Sequence, residues 1–241
     1  MCMPCEYIAV DLETTGLSPV KDGIIEIGAV HFRDGESVGE FQTLVRPGCL
    51  VPPRITELTG ISEEMLCEAP VFAQIAEDFL EFSGELPIVG HSILFDFSFL
   101  KRAFGRMGIA YERKGIDTLK LCRQFLPAEE KKNLGAACSH FGIQGTSYHR
   151  AFNDAMCTGL LLEQLKKQYL EEHVETFSPK QLNYTIKREQ PAQIRQKQYL
   201  IDFAKWHKID VPVDIDSLTR SEASRLLDQW IARYGRGAGR K

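Results

Sequence analysis

The 241-residue sequence predicts an α/β fold: a mixed sheet flanked by helices, followed by a small helical module at the C-terminal end. Three observations predict it. The chain opens with three strand-like stretches joined by turn signals. From about residue 71, stretches with helical spacing alternate with short apolar runs, which places helices against a sheet. After about residue 175 this alternation stops, and two amphipathic stretches take its place.

Taken in order, YIAVDLE reads as a buried strand bounded by the turn-like TTGLSP. DGIIEIGAVHFRDGES follows as a second strand, with Asp34-Gly35 as a hairpin signal, and VGEFQTLVRP is its antiparallel partner. APVFAQIAEDFLEFSG has helical spacing at Val71, Ile75, Phe79 and Phe82. ELPIVG is a short buried strand. GHSILFDFSFL then starts a helix, with Ser92 as its N-cap. GIDTLKLCRQF runs from strand to helix, and NLGAACSHFGI and RAFNDAMCTGLLLEQLKKQYL are two further helices. These elements make a domain over 1–172. Residues 173–190 read as a linker and 191–241 as the helical module. Its two helices are PAQIRQKQYLIDFAKWHK and SLTRSEASRLLDQWIARYGRG, the second capped by Ser217 or Thr219. Trp206 and Trp230 fall at helical spacing with apolar neighbours and read as core of the module in preference to base-stacking platforms.

Composition removes several function classes. With 44% hydrophobic and 26% charged residues, the chain reads as soluble and globular. No apolar run approaches the roughly 18 residues a membrane span needs, and the N-terminus lacks the pattern of a signal peptide. Seven cysteines are an odd number without a framework, which points to reduced thiols and a cytoplasmic protein. Cys2 and Cys5 have C-x-x-C spacing, but no second pair follows at zinc-site spacing. The net charge of −4 hides an asymmetry. Residues 1–178 carry 16 Lys and Arg against 26 Asp and Glu, a net of −10; residues 179–241 carry 13 against 7, a net of +6. A basic tail on an acidic body suggests a polyanion partner for the tail, such as nucleic acid, or else simply a solvated helical surface.

The chemistry lies in misplaced carboxylates. On a helix, Ile93, Phe97, Leu100 and Phe104 form one apolar stripe, and Asp96 falls at its edge. A carboxylate among core residues is costly unless something compensates it. Asp11 and Glu13 stand two apart on the first strand, so they share a face. Asp154 lies on the stripe of Thr158, Leu161 and Leu165. Three separate elements thus place an acid where core is expected, which points to convergence. Four converging carboxylates carry about −4. All-oxygen ligation favours hard ions, Mg²⁺ or Mn²⁺, over zinc. Two such ions about 4 Å apart are the apparatus of in-line phosphoryl displacement. His149 comes five residues before Asp154. On a continuous helix the two would diverge, so they share a site only if His149 precedes the helix or lies at its irregular first turn. Ser147 and the nearby glycine make that plausible. An imidazole there is a natural general base, because its ordinary pKa lies near neutrality.

AVDLETTGL, GHSILFDFSFL and HRAFND, in that order and spacing, resemble the three motifs of the DEDDh branch of the DnaQ-like 3′→5′ exonucleases. The resemblance covers about residues 6–170. It implies a ribonuclease H-like mixed sheet. It also implies two divalent cations on Asp11, Glu13, Asp96 and Asp154, with His149 as base. For the terminal nucleotide it implies a pocket lined by Thr14, Thr15, Gly16 and Leu17, with Leu58 and Thr59 in a loop near the base. His91 and Phe95 border the same cleft, unless His91 only ties a strand end by hydrogen bonds. The implied activity is hydrolysis at the 3′ end of DNA, releasing nucleoside 5′-monophosphates. RNA trimming is the alternative, and a non-cutting module that binds nucleic-acid ends is a third reading. The stretch from Ala9 to Val30 is most similar to the proofreading exonucleases of bacterial DNA polymerase III. The C-terminal module does not resemble their polymerase-binding segment.

Overall fold

A computed structural model describes residues 5–144, 149–185, 190–210 and 215–236; Cys2 and Ser147 lie outside them. The chain divides into two compact units. One comprises residues before 186 except the loop Ser18–Asp22; the other comprises that loop and the residues from 186 on.

The first unit is built on one six-stranded sheet. Its strands are β1 (Glu6–Thr14), β2 (Ile24–Arg33), β3 (Glu36–Leu44), β4 (Ile88–Gly90), β5 (Lys114–Asp117) and β6 (Lys180–Gln181). Their order across the sheet is β3-β2-β1-β4-β5-β6. The β1–β2, β2–β3 and β5–β6 pairs are antiparallel, while β4 runs parallel to both β1 and β5. This is the expected ribonuclease H-like mixed sheet. The β2–β3 hairpin turns at Asp34 and Gly35, both at positive φ (51° and 87°), as a two-residue primed turn requires.

The helices of this unit are α1 (Pro53–Thr59), α2 (Glu63–Cys67), α3 (Phe72–Ser83), α4 (Leu94–Arg106), α5 (Thr118–Phe125), α6 (Leu134–His140) and α7 (Ala151–Tyr169). Alternation along β1 sorts its side chains. Ile8, Val10 and Leu12 pack in one cluster with Phe97, Leu100 and Phe104 of α4. Tyr7 and Ala9 pack in another with Leu161, Leu162 and Leu165 of α7. Phe97, Leu100 and Phe104 are fully buried, and each contributes about 1.5–3 kcal/mol. Asp11 and Glu13 continue the Tyr7–Ala9 row, so they point to the α7 side.

Helix α7 sits unusually close to β2, and glycine makes this possible. A Cβ on Gly28 would lie 2.1 Å from the carbonyl carbon of Ala151, and one on Gly159 would lie 2.1 Å from the Phe32 ring. The first clash is with backbone, so only a shift of α7 could relieve it.

Three expectations need correction here. Residues 173–185 are not a free linker. Phe177 is fully buried in the α7 cluster, β6 pairs with β5, and Leu182 donates its N–H to the Arg113 carbonyl at 3.0 Å. Ser92 does not cap α4 with its side chain. It adopts φ 81° and donates its N–H to Asp117 at 3.1 Å, while Ile93 precedes the helix. Third, Leu58 and Thr59, expected in a loop, form the end of α1.

In the second unit, α8 (Ile194–His207) and α9 (Arg220–Tyr234) close a small core of Leu200, Phe203, Ala204, Leu218, Ala223 and Trp230. Thr219 caps α9 in a reciprocal box with Glu222. Trp230 belongs to this core as expected, but Trp206 does not: it is 64% exposed.

Candidate active site

The acids predicted from three segments meet at the C-terminal end of β1. One ligand atom each from Glu13, His149 and Asp154 lie within 4.8 Å of one another. Asp96, at the start of α4, is buried, and its Oδ1 accepts the Leu12 N–H at 3.1 Å. It therefore docks on the backbone between Asp11 and Glu13. This compensates part of the cost of burying Asp96 and brings its charge to Asp11.

The cluster's electrostatics follow from this crowding. Burial, then repulsion from Asp96, Asp154, Glu13 and Glu26, pushes the Asp11 carboxyl well above the usual range. Burial raises Asp96 to about 8 against its Leu12 hydrogen bond, with Glu13 and Asp117 adding to the rise. Glu13 is raised to about 7 by burial and by Asp154 and Glu26, while Arg150 opposes. Asp154 is also raised by burial, and the His149 amide opposes that rise. A group of acids that resist ionising together lacks positive charge. Asp154 supplies a second sign: its Oδ1 is buried without a hydrogen-bond partner. All-oxygen donors, an unpartnered carboxylate oxygen and mutual repulsion fit a hard divalent cation.

His149 precedes α7, as the shared site requires. It is exposed, with φ 66°, and its backbone N–H donates to Asp154 Oδ2 at 3.0 Å. What fixes the start of α7 is Glu26. It is fully buried directly opposite Glu13 in the β1–β2 register. Its carboxylate accepts from Arg150 Nε at 3.2 Å and Nη2 at 2.8 Å, from the Ala151 N–H at 3.0 Å and from Gln42 Nε2 at 3.2 Å. Like charges opposed on a strand pair repel, and Arg150 answers both. The sequence signal was a charge inside the apolar run IIEIGAV.

A cleft of about 590 Å³ opens beside the acids, lined by Glu13, Thr14, Gly16, Leu17, Arg54, Leu58 and Phe95, among others. Leu17 is 80% exposed and Leu58 50%, so both offer apolar surface to a ligand. Arg54 was missed, because α1 itself was not read as a helix. Three expected lining residues face elsewhere. Thr15 is buried, and its hydroxyl accepts the Gly23 N–H at 3.0 Å. Thr59 is buried, donating to the Ile55 carbonyl at 2.9 Å and accepting from Ile61 at 3.1 Å. His91 has both ring nitrogens engaged, Nδ1 with Thr118 at 3.0 Å and Nε2 with the Lys132 carbonyl at 2.7 Å. Burial lowers its pKa. These side chains hold the cleft's walls instead of lining it.

A sheet with acids at the end of its central strand and a histidine beside them defines a nuclease-like class of site. Residues 8–162 match the family model RNase_T, described as exonuclease. The chain belongs to this exonuclease family. It is 38% identical over 188 residues to a PolC-type DNA polymerase III of Clostridium perfringens, covering 76% of this chain and 13% of that protein. It is 34% identical over 182 residues to the 3′-5′ exonuclease DinG of Staphylococcus epidermidis, covering 75% and 20%. The match thus spans a fifth or less of these relatives. Among solved structures, exonuclease X in complex with 5′-overhanging duplex DNA superposes with a TM-score of 0.58 at 24% identity, covering 71% of this chain and 99% of that one. The nuclease domain of 3′hExo, a DEDDh family member bound to rAMP, gives 0.61 at 19%, covering 76% and 98%. These last two likenesses show the fold. No helix among the described residues is long and apolar enough to cross a membrane.

Proposed function

We propose that this protein is a cation-dependent 3′→5′ exonuclease acting on DNA ends that are single-stranded or frayed. The observation that carries the reading is the meeting of Asp11, Glu13, Asp96, Asp154 and His149 at one end of an apolar cleft, with Glu13 belonging to both. The DNA preference is supported by the PolC-type relatives, which are named for a DNA polymerase, and the 3′→5′ direction by the relative named 3′-5′ exonuclease DinG. The rAMP bound to 3′hExo keeps RNA as the substrate to test beside it. A polymerase partner is suggested by the PolC-type relatives alone.

Asp11, Glu13, Asp96 and Asp154 would hold two divalent cations, Mg²⁺ or Mn²⁺. When bound, these supply the positive charge that an in-line displacement at phosphorus needs. Leu17, Leu58 and Phe95 pack on the terminal sugar and base, while Gly16 lets backbone approach closely. The exposed His149 imidazole takes the proton from the attacking water. The water oxygen bonds to phosphorus, and the 3′ oxygen of the preceding nucleotide leaves. The products are a nucleoside 5′-monophosphate and a strand one residue shorter.

The test is incubation of the protein with 5′-labelled DNA and RNA strands of matched sequence, with Mg²⁺ or Mn²⁺. Stepwise shortening from the 3′ end, faster on DNA, is expected. Shortening that survives EDTA or persists in Asp11→Ala overturns the mechanism. Calorimetry that detects no cation binding revives the non-cutting alternative.

A further inference from the structure

We propose that the outer face of α8 is a stacking platform for single-stranded nucleic acid. This rests on the exonuclease reading, and gives the strand a second hold besides the cleft. The family match ends at residue 162, so α8 and α9 are an addition to the exonuclease domain. Their core is closed by Leu200, Phe203 and Trp230. Trp206 is left out of it, 64% exposed, and Tyr199 is 48% exposed. The two are seven residues apart and therefore share a face, about 10 Å from each other along the helix. A scattered exposed aromatic needs no explanation, but two aligned on one helix face beside unpaired cations do.

Those cations are Arg195, one turn before Tyr199 on the same face, and Lys205, whose long side chain flanks that face from about 100° round the helix from Trp206. Both are exposed, and neither makes an ion pair among the described residues. Asp202 interrupts the line, and its carboxylate accepts from Gln198 Nε2 at 3.0 Å. The face and its flank keep a net of +1 from Arg195 and Lys205 against Asp202, within a stretch, residues 179–241, whose net charge is +6. An apolar protein partner has no use for that charge. Bases offer π-faces to Trp206 and Tyr199, and phosphates offer charge to Arg195 and Lys205. Such a platform is tolerant of sequence.

The experiment uses the full chain. Affinity for a labelled single-stranded DNA of about 30 nucleotides is measured in EDTA, so that no cleavage intervenes. Tyr199→Ala/Trp206→Ala is expected to weaken it at least 5-fold, by the usual worth of base stacking. Trp206→Phe, which keeps a ring, is expected to stay near the parent. Arg195→Gln/Lys205→Gln is expected to flatten the salt dependence by about 1.4 in log–log slope, at about 0.7 per phosphate contact. In Mg²⁺, the double aromatic variant is expected to raise KM on the long strand and leave trinucleotide cleavage unchanged. Unchanged affinity and slope in both double variants overturn the platform, and would assign the face to a protein partner. If the parent shortens no strand, the exonuclease reading fails, while the affinities still decide the platform.

Discussion

Glu26 offers the sharpest perturbation of this fold. Its buried carboxylate ties Arg150 and the Ala151 amide to β2, and so fixes the turn that carries His149. Removing one partner of a buried ion pair costs about 3–5 kcal/mol. Here the Arg150 side chain is 37% exposed, so it recovers part of its hydration and the pair is worth less than that range. The Ala151 N–H, left without an acceptor, costs about 1–3 kcal/mol. Glu26→Ala is therefore expected to lose about 3 kcal/mol. Glu26→Gln, which keeps an oxygen for Ala151 but gives up the charge, is expected to lose about 1–2 kcal/mol. Urea unfolding at constant m-value reads both. Because misplacing catalytic groups by about 1 Å costs on the order of 10²-fold, kcat should fall further in the alanine variant than in the glutamine one. Two equally mild variants, each within about 0.5 kcal/mol of the parent, would refute this account of how α7 is held.

The remaining expectations concern cations, packing and the base. Glu13 at about 7, Asp96 at about 8 and Asp11 well above its ordinary value mean that the folded protein binds more protons than the unfolded chain between about pH 4 and 8. Cation-free protein should therefore lose stability as pH rises through that window. Mn²⁺ should raise Tm more at pH 8 than at pH 5; equal rises would count against the site. Gly28→Ala drives a methyl into the Ala151 backbone and should cost about 3 kcal/mol by overpacking, with activity lost alongside, as read by thermal unfolding and cleavage. His149→Ala should lower kcat about 10²- to 10⁴-fold with little change in KM. Leu17→Ala should instead raise KM, since the side chain is 80% exposed in the cleft wall.

The site was legible where a carboxylate broke an apolar rhythm. Asp96 and Asp154 each sit on a helical core stripe, and Asp11 and Glu13 share one strand face. Such positions are hard to explain except by convergence. Glu26 broke the same rhythm inside IIEIGAV, but its partner stands far off in sequence at Arg150, so no local pattern could decide its role. Thr15 and Thr59 were misplaced, and His91 was left between two readings, for the opposite reason. Their side chains bond to groups that only folding brings near, and a polar residue in a motif looks the same whether it lines a cleft or braces it. The long helices were readable from periodicity. Helix α1 has seven residues, α2 five and β6 two, too few for a period to show. Trp206 was misread because helical spacing with apolar neighbours does not say which flank of the stripe a residue occupies.

His149 meets Asp154 through its main chain rather than its imidazole: its amide is held by the Asp154 carboxylate. In the proposed mechanism the proton acceptor and the ion holder thus hang from the same short turn, so a shift of that turn moves both. On that reading, an opening of the turn removes base and cation ligand at one stroke, leaving no half-competent form on a strand.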